Sequence, residues 1–131
     1  GHAALATALY LEARAASIGF ALRGLRALVT HEPNARVHGV ATAAVLIAGA
    51  AFRITPGEWI AVCLALALVW MAEAVNTAFE TLCDVVSPDH HPGVARAKDV
   101  AAGGVLIAAC GALVVGALIF GPRLLIRLGT L

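Results

Sequence analysis

Apolar positions gather in three runs and one amphipathic stretch. Val37 to Phe52, "VHGVATAAVLIAGAAF", is 16 residues long; a second run has its apolar heart at Ile60 to Ala72; the third, Val100 to Phe120, is an uninterrupted 21. A helix crosses the hydrocarbon of a bilayer with about 20 residues, so these runs predict three transmembrane helices over 36–53, 58–86 and 99–120. The short first run needs flanking residues or local thinning of the bilayer. "ITPGEW" and "SPDHHPG" separate the runs; Pro56-Gly57 predicts a turn, and Trp59 suits a membrane interface.

The stretch 5–32 has another pattern. At about 100° per residue, Glu12, Gly19, Arg23, Arg26 and Thr30 share an arc of about 60°, with Leu9, Leu11, Ile18, Phe20, Leu22 and Leu25 mostly elsewhere. Such a helix is expected to lie in the interface plane. Arg14 points away from that arginine face. The fold class is therefore an all-α membrane protein: one domain, 1–131, with three transmembrane helices behind an N-terminal surface helix.

Composition agrees. The chain is 61% hydrophobic and 13% charged, against about 45–50% and about 25% in an ordinary soluble domain, and its mean hydropathy is +0.91. A net charge of +1 with no basic stripe argues against a nucleic-acid partner. Cys63, Cys83 and Cys110 lie in apolar surroundings without a CxxC pair and read as small packing residues. Six basic residues (Arg14, Arg23, Arg26, Arg36, Arg96, Lys98) precede the first run or follow the second, against Arg53, Arg123 and Arg127 on the other side. That asymmetry places the surface helix and the "SPDHHPG" loop in the cytoplasm.

The candidate chemistry is on the second run. With Glu73 at 0°, Asn76, Thr77, Glu80 and Asp84 complete a polar arc of about 100°. Such acids can simply mark a helix emerging into water. Glu73, however, lies two turns deeper than Glu80, and an ionisable group among lipid-facing residues costs about 2.5–3.5 kcal/mol to insert. A buried carboxylate suits a general base and an exposed one a metal ligand. Glu32, in "HEPNARVH", comes from a different helix to the same interface as Glu80. Two such carboxylates can hold Mg2+, a hard cation that also takes phosphate oxygens; Glu32 as a solvated loop acid is the plainer alternative. Lys98 can bind phosphate as a point charge, and Asp99 can cap the third transmembrane helix. Positive-inside anchoring plus a cap would account equally for that pair. No GxxxxGK[ST] loop is present. Gly104, Ala108, Ala112 and Gly116 recur every fourth residue, a stripe that permits close helix approach.

"EAVNTAFETLCD" resembles the E-x-x-N-[ST]-A-x-E-x-x-x-D signature of the prokaryotic diacylglycerol kinase and undecaprenol kinase family. "RGLRALVTHEPNARVH" is similar to its surface-helix-to-first-span region and "HPGVARAKDVAAGGVLIAA" to its third-span entry. The resemblance covers about Arg14 to Phe120 and implies a homotrimeric lipid kinase of the bacterial inner membrane. It would use ATP and Mg2+ to phosphorylate a lipid alcohol at the cytoplasmic face. It implies Glu73 as the catalytic base and Glu32 and Glu80 as metal ligands. Asn76 and Asp84 would lie around the polyphosphate and metal, Lys98 and Asp99 at the nucleotide, and Asp89 and His91 near the adenosine end. Arg14, Arg23 and Arg26 would contact phosphate or lipid head groups. "EPNARVH", with His38 where many diacylglycerol kinases carry a carboxylate, looks more like an undecaprenol kinase; diacylglycerol is the alternative substrate. A small proton-coupled transporter is the rival of another class, but it leaves the cytoplasmic cluster unexplained.

Overall fold

The computed structural model describes residues 1–129 as four helices: α1 (His2–His31), α2 (Pro33–Ala51), α3 (Pro56–Val86) and α4 (Pro92–Arg127). The prolines decide the starts of three of them. Pro33, Pro56 and Pro92 each stand at the first helical turn, where a missing N–H costs nothing and a fixed φ is already helical. The predicted turn at Pro56-Gly57 is therefore a helix start. Thr55 caps it: its hydroxyl accepts from the Glu58 N–H at 3.2 Å and its own N–H donates to Glu58 Oε1 at 2.9 Å. The third transmembrane helix likewise begins at Pro92 rather than 99. Asp99 is two turns inside it, and the cap is His91, whose Nδ1 accepts from the Gly93 N–H at 3.0 Å. The helix also passes Pro122 and ends at Arg127.

A single extended residue, Glu32, joins α1 to α2. The corner is tied by Arg36 Nη2 donating to the Thr30 carbonyl and by the Thr30 hydroxyl donating to the Arg26 carbonyl. Leu28 and Ala35 are buried there. Between α2 and α3, Arg53 takes a left-handed φ of 52°, uncommon outside glycine. Gly49 is required at this turn: a Cβ would stand 2.6 Å from Trp59 Cη2.

Packing is closest between α3 and α4. Their shared end holds Ile54, Val62 and Ile119, ringed by Phe52, Trp59, Val115 and Phe120. Arg123 bonds Glu58 through both terminal nitrogens, at 2.7 and 2.6 Å, and also donates to the Ile119 carbonyl at 2.7 Å. Arg127 lies over the Phe52 ring. The small-residue stripe of α4 lines grooves along α3, which gives it a use within one chain.

The surface is what a soluble protein avoids. The chain exposes 9376 Å², where a folded soluble chain of its mass exposes about 6400 Å². Leu64, Leu68, Ile107, Leu113 and Leu118 all face outward. Surface of this kind belongs in lipid or against other copies. By length and composition α1, α3 and α4 can each cross a membrane. That set of three includes α1, expected on the surface; α2, at 19 residues, rises about 28 Å, near the thickness of the hydrocarbon.

Candidate functional site

The polar stripe of α3 is graded by burial. Glu73 is 2% exposed and Asn76 7%, Thr77 and Glu80 are half-buried, and Asp84 is exposed. Glu73 is the deepest member and follows the apolar run directly, as its position predicts. Its carboxylate faces α2, where His38 Nε2 stands 3.5 Å from Oε2. The His38 ring meets Trp70 edge-on at 6.2 Å between centroids. Trp70 is anchored in turn, its indole N–H donating to Thr42 Oγ1 at 2.9 Å.

Two neighbouring atoms lack partners: Asn76 Oδ1 and Thr77 Oγ1 are both buried without a hydrogen bond. Unpaired buried polar atoms cost about 1–3 kcal/mol each, so two of them side by side mark a place where water, an ion or a ligand can supply the missing bonds. Thr77 lines a cleft of about 470 Å³ between α1 and α3, and Glu32 and His31 open into the same cleft. Glu32 is thus brought against the α3 stripe from a separate element.

A second cleft, of about 280 Å³, lies where α3 ends and α4 begins. Asp84, Ser87, Asp89, His90, His91 and Lys98 line it. Lys98 Nζ donates to Asp84 Oδ1 at 2.9 Å. That bond, helped by the fields of Asp84 and Glu80, holds Lys98 above the ordinary lysine pKa, so it stays a cation. His91 accepts at Nδ1, so its neutral ring carries the proton on Nε2.

Four predicted nucleotide residues, Asp84, Asp89, His91 and Lys98, therefore meet in one cleft. Asp99 is exposed on α4 and outside it, and Asn76 lies deeper along α3. The surface-helix arginines are not drawn in: Arg14 lies over Tyr10 and Arg23 over Phe20, both rings of α1 itself, and Arg26 is exposed. Among the described residues no three His, Cys, Asp or Glu side chains form a metal-binding group. Of the two expected metal carboxylates, Glu32 lines the α1–α3 cleft, whereas Glu80, half-buried on α3, lines neither cleft.

Sequence reasoning passed over Thr42 and Trp70. A signal existed, since His38 and Thr42 are one turn apart on an alanine-rich helix, and Trp70 and Glu73 are one turn apart on the next. Which helix they faced was not in the pattern.

Comparison with known proteins fits this arrangement. Residues 19–120 match the family model for prokaryotic diacylglycerol kinase. The undecaprenol kinase of Bacillus subtilis (strain 168) is 36% identical over 102 residues, covering 78% of this chain and 83% of that protein. A diacylglycerol kinase of Synechocystis sp. is 33% identical over 110 residues, 83% of this chain and 63% of its own length. The diacylglycerol kinase of Escherichia coli (strain K12) is 29% identical over 90 residues, 69% and 74%. The match spans the α1–α2 corner, the α3 stripe and the α3–α4 cleft together, and the chain belongs to the prokaryotic diacylglycerol kinase family of lipid kinases.

Proposed function

We propose that this chain transfers the γ-phosphoryl group of ATP to the hydroxyl of a single-chain polyprenol, undecaprenol, at the cytoplasmic face of the bacterial inner membrane. The observation that carries the reading is the burial of Glu73. A carboxylate 2% exposed, where the apolar run of α3 gives way to its polar stripe, is suited to an alcohol carried on a lipid rather than one dissolved in water.

In this mechanism the tail lies in lipid and its hydroxyl reaches Glu73, which accepts the proton as the oxygen attacks phosphorus. Lys98 and the cleft of Asp84, Asp89 and His91 hold the nucleotide, with Lys98 pairing a phosphate and His91 Nε2 free to donate. The Thr77 hydroxyl would donate to the polyphosphate, and Asn76 Oδ1, which can only accept, would face its ion. Glu32 and Glu80 would hold Mg2+, which when bound neutralises charge on the transferring phosphate. Large outward apolar faces support assembly as a homotrimer, in which further copies can complete each site.

Support for the polyprenol comes from an apolar groove of about 360 Å³ that ends at His38. It is lined by Ala41, Val45, Ala109, Leu113 and Gly116, with Thr42 its other polar group. Such a lining suits a hydrocarbon chain and offers little to the ester oxygens of diacylglycerol. The match to an undecaprenol kinase, at 36% identity, points the same way. Phosphate transfer from ATP to undecaprenol and to diacylglycerol, side by side in mixed micelles, tests the reading. Faster turnover of undecaprenol supports it; faster turnover of diacylglycerol assigns the other substrate. Proton flux in liposomes without transfer to either lipid overturns the kinase mechanism.

A further inference from the structure

A base that takes a proton in every cycle must also lose it, and Glu73 has almost no contact with water. Its ion-pair partner among the described residues is His38, with Nε2 3.5 Å from Oε2. That distance is too long for a strong hydrogen bond, and catalytic contacts of this kind tighten when substrate binds. His38 differs from Glu73 in one respect that matters: its side chain is 19% exposed. It spans the gap between the buried carboxylate and the outside.

The ring is held in place. Trp70 packs against it edge-on, and Thr42 fixes Trp70 through the indole N–H. The groups around it leave Glu73 as its titratable partner. From α4 the same groove presents Ala109, Ala112, Leu113, Gly116 and Ala117, none of which ionises. On α2 itself, Arg36 is engaged with the Thr30 carbonyl. On α1, His31 bonds the Ala27 carbonyl, and at the α1–α2 corner Glu32 opens into the separate cleft beside Thr77.

We propose that His38 is the positioning residue of Glu73 and the exit for its proton, an inference that rests on the reading of Glu73 as the general base. The substrate O–H bond breaks, its proton goes to Glu73, and the oxygen electron pair forms the new bond to the γ-phosphorus. The bond from that phosphorus to the bridging oxygen breaks, and its pair leaves with ADP. The proton on Glu73 then passes to His38 Nε2, and the imidazolium releases a proton to water. Imidazole suits this role because it titrates near neutral pH and has two nitrogens, one for each side of the transfer.

The test uses the full chain in mixed micelles with ATP and undecaprenol, comparing wild type, His38→Ala, His38→Gln and Glu73→Gln. His38→Ala is expected to lose about tenfold to a hundredfold in kcat, with both KM values kept within about twofold. Added imidazole should restore kcat to His38→Ala in proportion to its neutral fraction, and should do nothing for His38→Gln, whose side chain fills the space. Elution in the wild-type oligomeric position and an unchanged KM for ATP show that a slow variant is folded. A His38→Gln protein with wild-type kcat and pH profile overturns the proposal. So does a folded, slow His38→Ala protein that imidazole cannot restore. If Glu73→Gln is fully active, the general-base reading itself fails; if Glu73→Gln is inactive while His38→Gln is not, the role of His38 alone falls.

Discussion

The two ends of α3 are built by opposite rules. At its start the cap and the charges are paired: Thr55 and Glu58 cap each other, Arg123 grips Glu58 with two nitrogens, and the Ile119 carbonyl takes a third bond. In its second half Glu73 has one partner at 3.5 Å, and Asn76 and Thr77 hold buried oxygens with none. Both ends carry charge in an apolar chain. The first has its charges neutralised inside the fold, so it locks helices together. The second keeps unspent hydrogen-bonding capacity, which water, an ion or a ligand can take up.

Substitutions can break this contrast. The largest effect is expected at Glu73: Glu73→Gln keeps the shape and removes the base, and phosphate transfer should fall by about 10²–10⁴ while thermal stability hardly changes. A transfer rate near wild type would move the base elsewhere. The converse holds at the other end, where Arg123→Ala leaves Glu58 without its guanidinium. It should lower stability, read as a drop in melting temperature in detergent, with kcat per folded protein unaltered. Gly49→Ala forces a Cβ into Trp59 and should cost about 1–3 kcal/mol, again without a change in KM.

Smaller effects sharpen the picture at the proposed nucleotide cleft. Lys98→Ala should raise the KM for ATP by roughly tenfold, more at low salt than at high, and leave the KM for lipid alone. The sign of the pH dependence follows from the Asp84 bond. The bond raises the lysine pKa above its ordinary value, so the cation persists throughout the neutral and mildly alkaline range, and any Lys98 contribution to ATP binding should be flat from about pH 6 to about pH 9. The mildest change is Thr42→Val, which removes one hydrogen bond from Trp70. It should cost about 1 kcal/mol and show in indole fluorescence.

Much of the site was legible because helices impose a fixed period. Glu73, Asn76, Glu80 and Asp84 had to share a face once the segment was a helix, and their order along it predicted the burial found. Ends were less legible. Pro56-Gly57 and Pro92-Gly93 carry the same dipeptide that marks turns, and proline is equally at home at the first turn of a helix. The roles of Arg123 and Arg127 could not be read at all, since their partners Glu58 and Phe52 lie more than sixty residues away. The α4 stripe was legible as a contact surface, but its neighbour, α3 of the same chain, was not.

What the sequence determined by itself is whatever depends on period and composition: an all-helical membrane chain, one deep carboxylate above shallower ones, and the family signature. Only the tertiary structure decided which side chains meet across helices. It set His38 against Glu73, Thr42 against Trp70 and Lys98 against Asp84, and left Asn76 and Thr77 unpaired. The physical reason is that a helix repeats every 3.6 residues whatever it touches, whereas the partner of each face depends on how whole helices pack, which no local pattern encodes.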